Sequence, residues 1–224
     1  MRQESTAITR TRLTFRATAG LLTLALSTSW TPAAQAQSLA DLRQQFEAPS
    51  KAKDWRAAEA VARRMVAQSQ SDASDWRQLA RVLAAQGKNV EAAEARQELV
   101  KRPGATSNDY NNLCWSLLER NQPLDARPLC QTAVDLDPTH ANALVNMGHS
   151  FLLASDPTQA TVWYRRTLTH LQKEEDLREG PLYDLDLFIR KGWAVADARA
   201  ARQWFEQTWP SVQASRQPRS TAKE

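Results

Sequence analysis

The chain has 224 residues, of which 42% are hydrophobic and 24% charged, with six glycines and ten prolines. This composition excludes a collagen-like or compositionally disordered chain and allows one or two compact units. The formal net charge of +4 would suit nucleic-acid binding, but four of the arginines, ending with Arg16, lie close to the N-terminus. The charge of the remaining chain therefore decides that question.

Residues 1–36 have the layout of a secretory signal peptide. The arginines end at Arg16, an uncharged apolar stretch runs from Ala17 to Trp30, and the small-residue motif Ala34-Gln35-Ala36 follows. A transmembrane helix needs roughly 20 apolar residues, so this stretch is too short to span a bilayer, although a retained membrane anchor is the alternative. We expect a mature chain that begins at Gln37, is periplasmic or secreted, and has no membrane span.

Removal of the signal peptide brings the net charge close to zero. It takes away four of the 29 basic and one of the 25 acidic residues, which leaves a net charge of +1. Three of the remaining basic residues lie in the segment 211–224, which has one acidic residue. The rest of the chain is therefore about neutral, and we expect no nucleic-acid partner.

The sequence repeats itself at a constant spacing from the first helical segment onward. Two of the columns that show this spacing are Ala58, Ala92, Ala126 and Ala160, and Trp76, Tyr110 and Leu144. Within one period, apolar residues recur at helical spacing, stop, and then recur again. A period of about 34 residues predicts stacked helical hairpins with two helices in each unit.

Turn and capping residues mark where the helices begin and end. Asp54 and Asp156 are expected N-caps, and Pro123 and Pro157 occupy first-turn positions of second helices. Gly87 is expected to end the first helix of its unit. The same breaks recur in successive units, which supports two helices per repeat.

The units resemble the tetratricopeptide repeat (TPR) family. Its pattern of large, small and aromatic residues is matched in one unit by Tyr110, Leu113, Cys114, Leu117, Ala126, Cys130, Ala133 and Pro138, and in the next by Leu144, Met147, Gly148, Phe151, Ala160 and Tyr164. The preceding unit matches with Trp76, Leu79, Ala80, Leu83, Gly87 and Ala92, but Arg96 and Leu99 replace an aromatic and a small residue. The resemblance implies an all-α solenoid of antiparallel hairpins in a right-handed superhelix.

The resemblance also divides the chain. It implies a degenerate first hairpin in 37–71, followed by three units within 72–172, at about 73–106, 107–140 and 141–174. Residues 180–210 read as helices that cap the open end of the stack, since a terminal unit cannot bury both of its faces alone. Residues 211–224 are expected to be a disordered tail.

The two cysteines, Cys114 and Cys130, are expected to form a disulfide, because an exported chain meets an oxidising compartment. The bond would stabilise its unit by about 3 kcal/mol on the loop-entropy model. In this family small residues such as Cys114 lie where the two helices of a unit cross. Two separate buried thiols are the alternative, since helix axes usually lie about 8–10 Å apart while disulfide Cα atoms come within about 7 Å.

The family resemblance implies a concave wall lined by the first helices. Candidate peptide-binding residues on it are Arg77, Arg81, Asn108, Asn111, Asn112, Trp115, Asn142, Asn146 and His149. Amide side chains offer donors and an acceptor to an extended peptide backbone, and arginines could hold an acidic side chain or a terminal carboxylate. The alternatives are amides that bond neighbouring helices, solvated arginines, a tryptophan packed between helices and an ordinary polar histidine.

No catalytic or metal-binding constellation is evident. The three histidines fall in different places on the predicted hairpins, none has the spacing of a metal site, and no glycine-rich phosphate loop occurs. We expect no cofactor and no enzymatic activity, and interpret the chain as a binding module for a protein or peptide segment. One alternative is a structural scaffold, including homo-oligomers, that assembles through its convex surface and the exposed tryptophans Trp163, Trp204 or Trp209. Another is an accessory module of an enzyme.

Overall fold

The computed structural model describes residues 37–216, so the predicted signal peptide and residues 217–224 lie outside the described residues. Eight helices form four successive hairpins: α1 (Leu39–Lys51), α2 (Trp55–Val66), α3 (Ala73–Ala85), α4 (Asn89–Leu99), α5 (Ser107–Leu118), α6 (Pro123–Leu136), α7 (Ala141–Leu152) and α8 (Pro157–His170). The two helices of each hairpin pack against each other, and the second helices α2, α4 and α6 pack against the first helix of the next hairpin. The expected all-α solenoid is confirmed.

Three of the four first helices, α1, α3 and α5, begin with the same capping device. The N-cap residues Ser38, Asp72 and Thr106 are one repeat period apart, and each forms a capping box with the aspartate at its N3 position, namely Asp41, Asp75 and Asp109. The device satisfies backbone N–H groups that have no partner within the helix. The hairpin in 37–71, expected to be degenerate, thus begins with a complete capping box.

The turn inside each hairpin also repeats. Lys53, Gly87, Asn121 and Ser155, again one period apart, all have positive φ values, of 57°, 73°, 56° and 63°. This left-handed conformation ends a first helix and turns the chain into the second. Asp54 and Asp156 accept backbone N–H bonds as N-caps of second helices, as the sequence predicts.

Small residues allow the two helices of a hairpin to approach closely. The repeating alanines Ala58, Ala92, Ala126 and Ala160 are completely buried. Gly148 lies so close to Tyr164 that a Cβ atom on it would be 2.2 Å from the tyrosine ring. Arg96, which stands where the family pattern has an aromatic residue, donates a hydrogen bond of 2.8 Å from its Nη1 to Ser116 Oγ, and so links α4 to α5.

The C-terminal cap follows α8. It consists of the short α9 (Glu174–Leu177), a π-helical turn (Arg178–Leu182), α10 (Tyr183–Lys191) and the long α11 (Val195–Arg216). α10 packs against α11, and α11 packs against α8. Phe188 and Phe205 are completely buried in the aromatic cluster between them.

The helix α11 continues beyond the end predicted for the cap. Arg216 donates hydrogen bonds to the backbone carbonyl oxygens of Leu168, at 2.8 Å, and Leu171. These bonds satisfy carbonyl groups at the end of α8 that have no partner within the helix. The expectation of a disordered tail is therefore wrong for residues 211–216, and its remainder falls outside the described residues.

Candidate functional site

The first helices α1, α3, α5 and α7 lie side by side and form the inner face of the stack. Side-chain bonds join α1 to α3, α3 to α5 and α5 to α7. One column of this face carries an amide at every step of the repeat: Gln44, Gln78, Asn112 and Asn146. Gln44 is exposed, Gln78 and Asn112 are half-buried, and Asn146 is buried.

Two of the joints between first helices are ion pairs that the sequence reading missed. Arg77 on α3 holds Asp109 on α5 through two parallel hydrogen bonds of 2.7 Å. Arg43 on α1 holds Asp75 on α3 in the same way, at 2.8 Å. The signal was available, because Arg43 and Arg77, and likewise Asp75 and Asp109, are one repeat period apart. Arg77, a predicted ligand residue, is thus engaged in a clamp between two hairpins.

The clamps explain how two carboxylates are buried without losing their charge. Burial alone would raise the pKa of Asp109, but Arg77 and the hydrogen bonds from Thr106 outweigh it and hold the pKa below the ordinary 3.8. At Asp75, burial likewise raises the pKa, but Arg43 and the hydrogen bonds with Asp72 outweigh it, so this pKa is also lowered. Both aspartates therefore remain ionised in the folded protein near neutral pH.

The third joint has the same position but different chemistry. Asn111 occupies the repeat position of Arg43 and Arg77, and its Oδ1 accepts a hydrogen bond of 2.8 Å from Asn146 Nδ2. The exposed fractions are 6% for Asn111 and 4% for Asn146. The structure therefore gives these two predicted ligand residues a role in joining α5 to α7. Among the described residues, the Nδ2 group of Asn111 and the Oδ1 atom of Asn146 make no hydrogen bond, and neither is among the fully buried polar atoms that lack a partner.

Arg81 is the predicted ligand arginine that forms no ion pair within residues 37–216. Its guanidinium donates to Ser50 Oγ at 2.7 Å and to Gln78 Oε1 at 2.8 Å. It also lies 5.9 Å from the ring centres of both Phe46 and Trp55. The side chain is exposed and could pair with an anionic group of a ligand.

The expectation that His149 lies in an open groove is wrong, because the cap helix α10 folds over this part of the inner face. His149 is completely buried, and its Nδ1 lies 2.9 Å from the hydroxyl oxygen of Tyr164. The ring of Phe188 on α10 packs 5.0 Å from the imidazole and 6.2 Å from Trp115. Trp115 is half-buried between the inner face and the cap.

Polar contacts also hold α10 against the end of α5. Lys191 Nζ donates a hydrogen bond of 2.8 Å to the backbone carbonyl of Glu119, at the end of α5. Burial raises the pKa of the Glu119 carboxyl, although the charges of Lys191 and Arg96 oppose that effect. The cap thus closes the end of the stack, as the sequence predicts, and also occupies part of the wall that was expected to be open.

A small pocket remains open where the inner face meets the π-helical turn. It has a volume of about 220 Å³ and is lined by Asn111, Asn112, Trp115, Asn142, Val145, Asn146, Glu179, Gly180 and Asp184. A second cavity of about 420 Å³ adjoins it and shares Asn142, Glu179 and Gly180. Five of the nine predicted peptide-binding residues therefore meet in one pocket. Asn108 is exposed at the start of α5, and the two arginines belong to α3.

A larger cavity of about 530 Å³ lies elsewhere, between the turns of the third and fourth hairpins. Its lining includes Pro123, Leu124 and Leu153 but none of the predicted site residues. The residues expected to form a binding site therefore do not line this larger cavity.

The two cysteines form the expected disulfide. Cys114 on α5 and Cys130 on α6 are bonded, with their Cα atoms 5.4 Å apart. Both cysteines and the neighbouring Ala126 are completely buried. The Cα separation lies within the range that disulfides require, so the geometry that made the bond doubtful from sequence is satisfied.

None of the helices within residues 37–216 is long and apolar enough to cross a membrane. In the same range, no three or more side chains of His, Cys, Asp or Glu are grouped in a way that could hold a metal ion.

Comparison with solved structures shows the class of fold. The chain is similar to MamA, with 13% sequence identity and a TM-score of 0.59 over 80% of this chain and 96% of that one. The 41-end form of MamA from Desulfovibrio magneticus RS-1 gives 14% identity and a TM-score of 0.59, over 80% and 97% of the two chains. YrrB, described as a TPR protein with an unusual peptide-binding site, gives 13% and 0.57, over 81% and 95%.

The fold is therefore that of a tetratricopeptide-repeat solenoid. No family model matches the sequence, and no curated protein matches it. At identities this low, the likeness establishes the architecture and leaves the partner to be argued from the inner face itself.

Proposed function

We propose that this chain is an exported, noncatalytic binding module whose inner face holds an extended segment of a partner protein. The observation that supports this most is the column of amides on α1, α3 and α5, in which Gln44, Gln78 and Asn112 remain accessible. Each amide can donate to a peptide backbone, whatever the sequence of the peptide, and Gln44 and Asn112 can also accept from it, whereas Gln78 Oε1 already accepts from Arg81. The peptide-binding site of YrrB, on a similar fold, is consistent with this role.

The path of the segment follows from what the cap leaves open. α10 covers His149 and part of Trp115, so the accessible surface runs from α1 across α3 to the pocket beside the π-helical turn. Arg81 lies along this path and suits an acidic side chain or a terminal carboxylate of the bound segment. Arg77 has a structural role instead, because its guanidinium is committed to Asp109.

Export is part of the proposal and rests on other features. The layout of residues 1–36 supports a cleaved signal peptide, and the paired cysteines suit an oxidising compartment. N-terminal sequencing of the protein from the periplasm or medium should begin at Gln37. A first residue before Ala17 would contradict cleavage.

A selected peptide tests the binding proposal. A phage-displayed dodecapeptide library is selected on the immobilised protein, and the Kd of a selected peptide is measured by fluorescence anisotropy. The double variant Gln78→Ala and Asn112→Ala should weaken binding about 10-fold or more, because each lost hydrogen bond is worth about 0.5–1.5 kcal/mol. The matched control replaces the exposed amides Gln97 and Gln207, on α4 and α11, by alanine.

Circular dichroism should show unchanged helix content in both double variants. Unchanged binding by the inner-face variant, or an equal loss in the control, would place the site elsewhere.

The alternative of a self-assembling scaffold now depends on a different surface. Of the tryptophans expected to be exposed, Trp209 is buried, and Trp163 and Trp204 are half-buried. Among residues 37–216, the most exposed large apolar residue is Leu124, with 70% of its surface accessible, and it lines the 530 Å³ cavity at the hairpin turns. Under this alternative, Leu124→Ser should abolish a concentration-dependent increase in mass measured by light scattering.

A further inference from the structure

The pocket between the inner face and the π-helical turn has the size of a site for a single side chain. Its volume of about 220 Å³ is below the roughly 300–1,000 Å³ of pockets that hold whole small molecules. One wall is formed by α5 and α7, and the other by the cap residues Glu179, Gly180 and Asp184. A segment that runs along the inner face would therefore place one residue here.

The charge in this pocket is of one sign. Glu179 and Asp184 are the charged residues of the lining, which contains no lysine or arginine. Glu179 forms no ion pair with a residue of the range 37–216. The nearest basic group to Asp184 is His149, whose Nε2 lies 3.4 Å from Oδ2 and makes no hydrogen bond. The two carboxylates thus lack a permanent positive partner within the described chain.

An independent feature of the same pocket also points to a ligand. Asn111 and Asn146 line it and are more than nine-tenths buried, yet each has one polar group without a hydrogen-bond partner in residues 37–216. The free groups are a donor, Asn111 Nδ2, and an acceptor, Asn146 Oδ1. Neither atom is among the fully buried polar atoms without a partner, so both reach the open space of the pocket. A neighbouring donor and acceptor suit the carbonyl and N–H groups of a peptide backbone.

The third feature of the pocket is an aromatic ring. Trp115 is half-buried in the lining of the pocket, and an indole ring attracts a cation that lies over its face. Carboxylates opposite an indole favour a basic side chain over an acidic or an apolar one. A long flexible stem also lets a lysine or arginine place its charged end between the two walls.

We propose that this pocket binds a lysine or arginine side chain of the segment held on the inner face. The proposal rests on the proposed function and adds a charge preference to it. The bound segment would carry a basic residue at the cap end of the inner face, and an acidic group nearer to Arg81.

Three blocked pentapeptides test the charge preference directly. They are acetyl-Gly-Ser-Lys-Ser-Gly-amide and its analogues with norleucine or glutamate in the centre, titrated into ¹⁵N-labelled protein. The lysine peptide should shift the indole resonance of Trp115 and the side-chain amide resonances of Asn111 and Asn146. Its Kd should be about 10-fold lower than that of the norleucine peptide, and the glutamate peptide should produce no shifts.

Glu179→Gln is the critical variant, because Glu179 is exposed and its replacement does not disturb the core. It should weaken the lysine peptide about 5-fold and leave the norleucine peptide unchanged. Glu175→Gln is the matched control, since Glu175 is exposed on α9 outside the pocket. It should bind the lysine peptide like the unmodified protein.

The possible failures are distinguishable. Equal binding of the three pentapeptides, or a Glu179→Gln variant that binds lysine normally, would overturn the charge preference, while the phage-selected peptide would still report on the inner face. Absence of pocket shifts with all three pentapeptides would also overturn this inference. If the proposed function itself is wrong, the Gln78 and Asn112 substitutions will leave the Kd of the phage-selected peptide unchanged.

Discussion

Replacement of Arg77 by methionine should weaken the junction between the second and third hairpins. Methionine retains most of the aliphatic stem but removes the guanidinium that binds Asp109 through two bonds of 2.7 Å. The side chain of Asp109 is only 1% exposed, whereas that of Arg77 is 38% exposed. Loss of one partner from a fully buried pair costs about 3–5 kcal/mol, and exposure reduces the value, so we expect about 2–3 kcal/mol.

The assay is urea unfolding followed by circular dichroism, for Arg77→Met, Asp109→Asn and the double variant. The double-variant cycle should give a coupling energy of about 1–3 kcal/mol. Arg81→Met is the matched control one helical turn later, since the guanidinium of Arg81 contacts neutral groups only and the change should cost less than about 1 kcal/mol. An equal cost for the two arginine variants would refute the clamp.

The clamp also has a definite dependence on pH. Because the pKa of Asp109 is lower in the folded protein, the pair stabilises the fold fully above the ordinary carboxyl value of 3.8. This contribution is lost as the pH falls below 3.8 through the folded pKa. Urea unfolding of Arg77→Met should therefore converge with that of the unmodified protein at acid pH, and a difference that persists there would argue against the charge pair.

Three further substitutions or treatments test the hairpins themselves. Ser155→Gly should raise the free energy of unfolding by about 0.5–1 kcal/mol, measured by thermal melting, because the residue has a φ of 63° and makes no side-chain hydrogen bond; a lower Tm would contradict this. Gly148→Ala should cost about 1–3 kcal/mol or more, since the new methyl group would be 2.2 Å from the ring of Tyr164, and a neutral outcome would mean that the ring moves freely. Reduction of the disulfide should cost about 3 kcal/mol in urea unfolding, whereas identical curves with and without reductant would deny it a stabilising role.

The hairpin architecture could be predicted because its signals are local and periodic. The alanine column, the N-caps Asp54 and Asp156 and the prolines at helix starts are each readable from sequence, and the structure confirms them. Lys53 and Ser155 carry no such signal, since neither residue type favours the left-handed conformation that the repeat imposes on it. Of these turns, the sequence predicted the one at Gly87, and the spacing of the repeat could have located the others from it.

The site was less predictable because its members depend on contacts distant in sequence. Arg77 and His149 were placed on the inner face by their positions in the repeat. Position alone does not reveal that Arg77 is paired with Asp109 or that α10 covers His149. The Arg–Asp pairs could have been found by searching for opposite charges that share the period of the repeat. The course of α10 has no repeat partner, and no spacing rule could have supplied it.

The order in which parts of the chain can fold follows from where its aromatic residues lie. The cluster around Tyr164, Phe188, Phe205 and Trp209 joins α8 to the cap, and α11 supplies the last two of these rings. The first hairpins are synthesised first, and their own apolar cluster needs no residue of the cap. The most aromatic part of the protein must wait for the final helix, so a nascent chain arrested before Phe205 would expose these rings to chaperones and proteases.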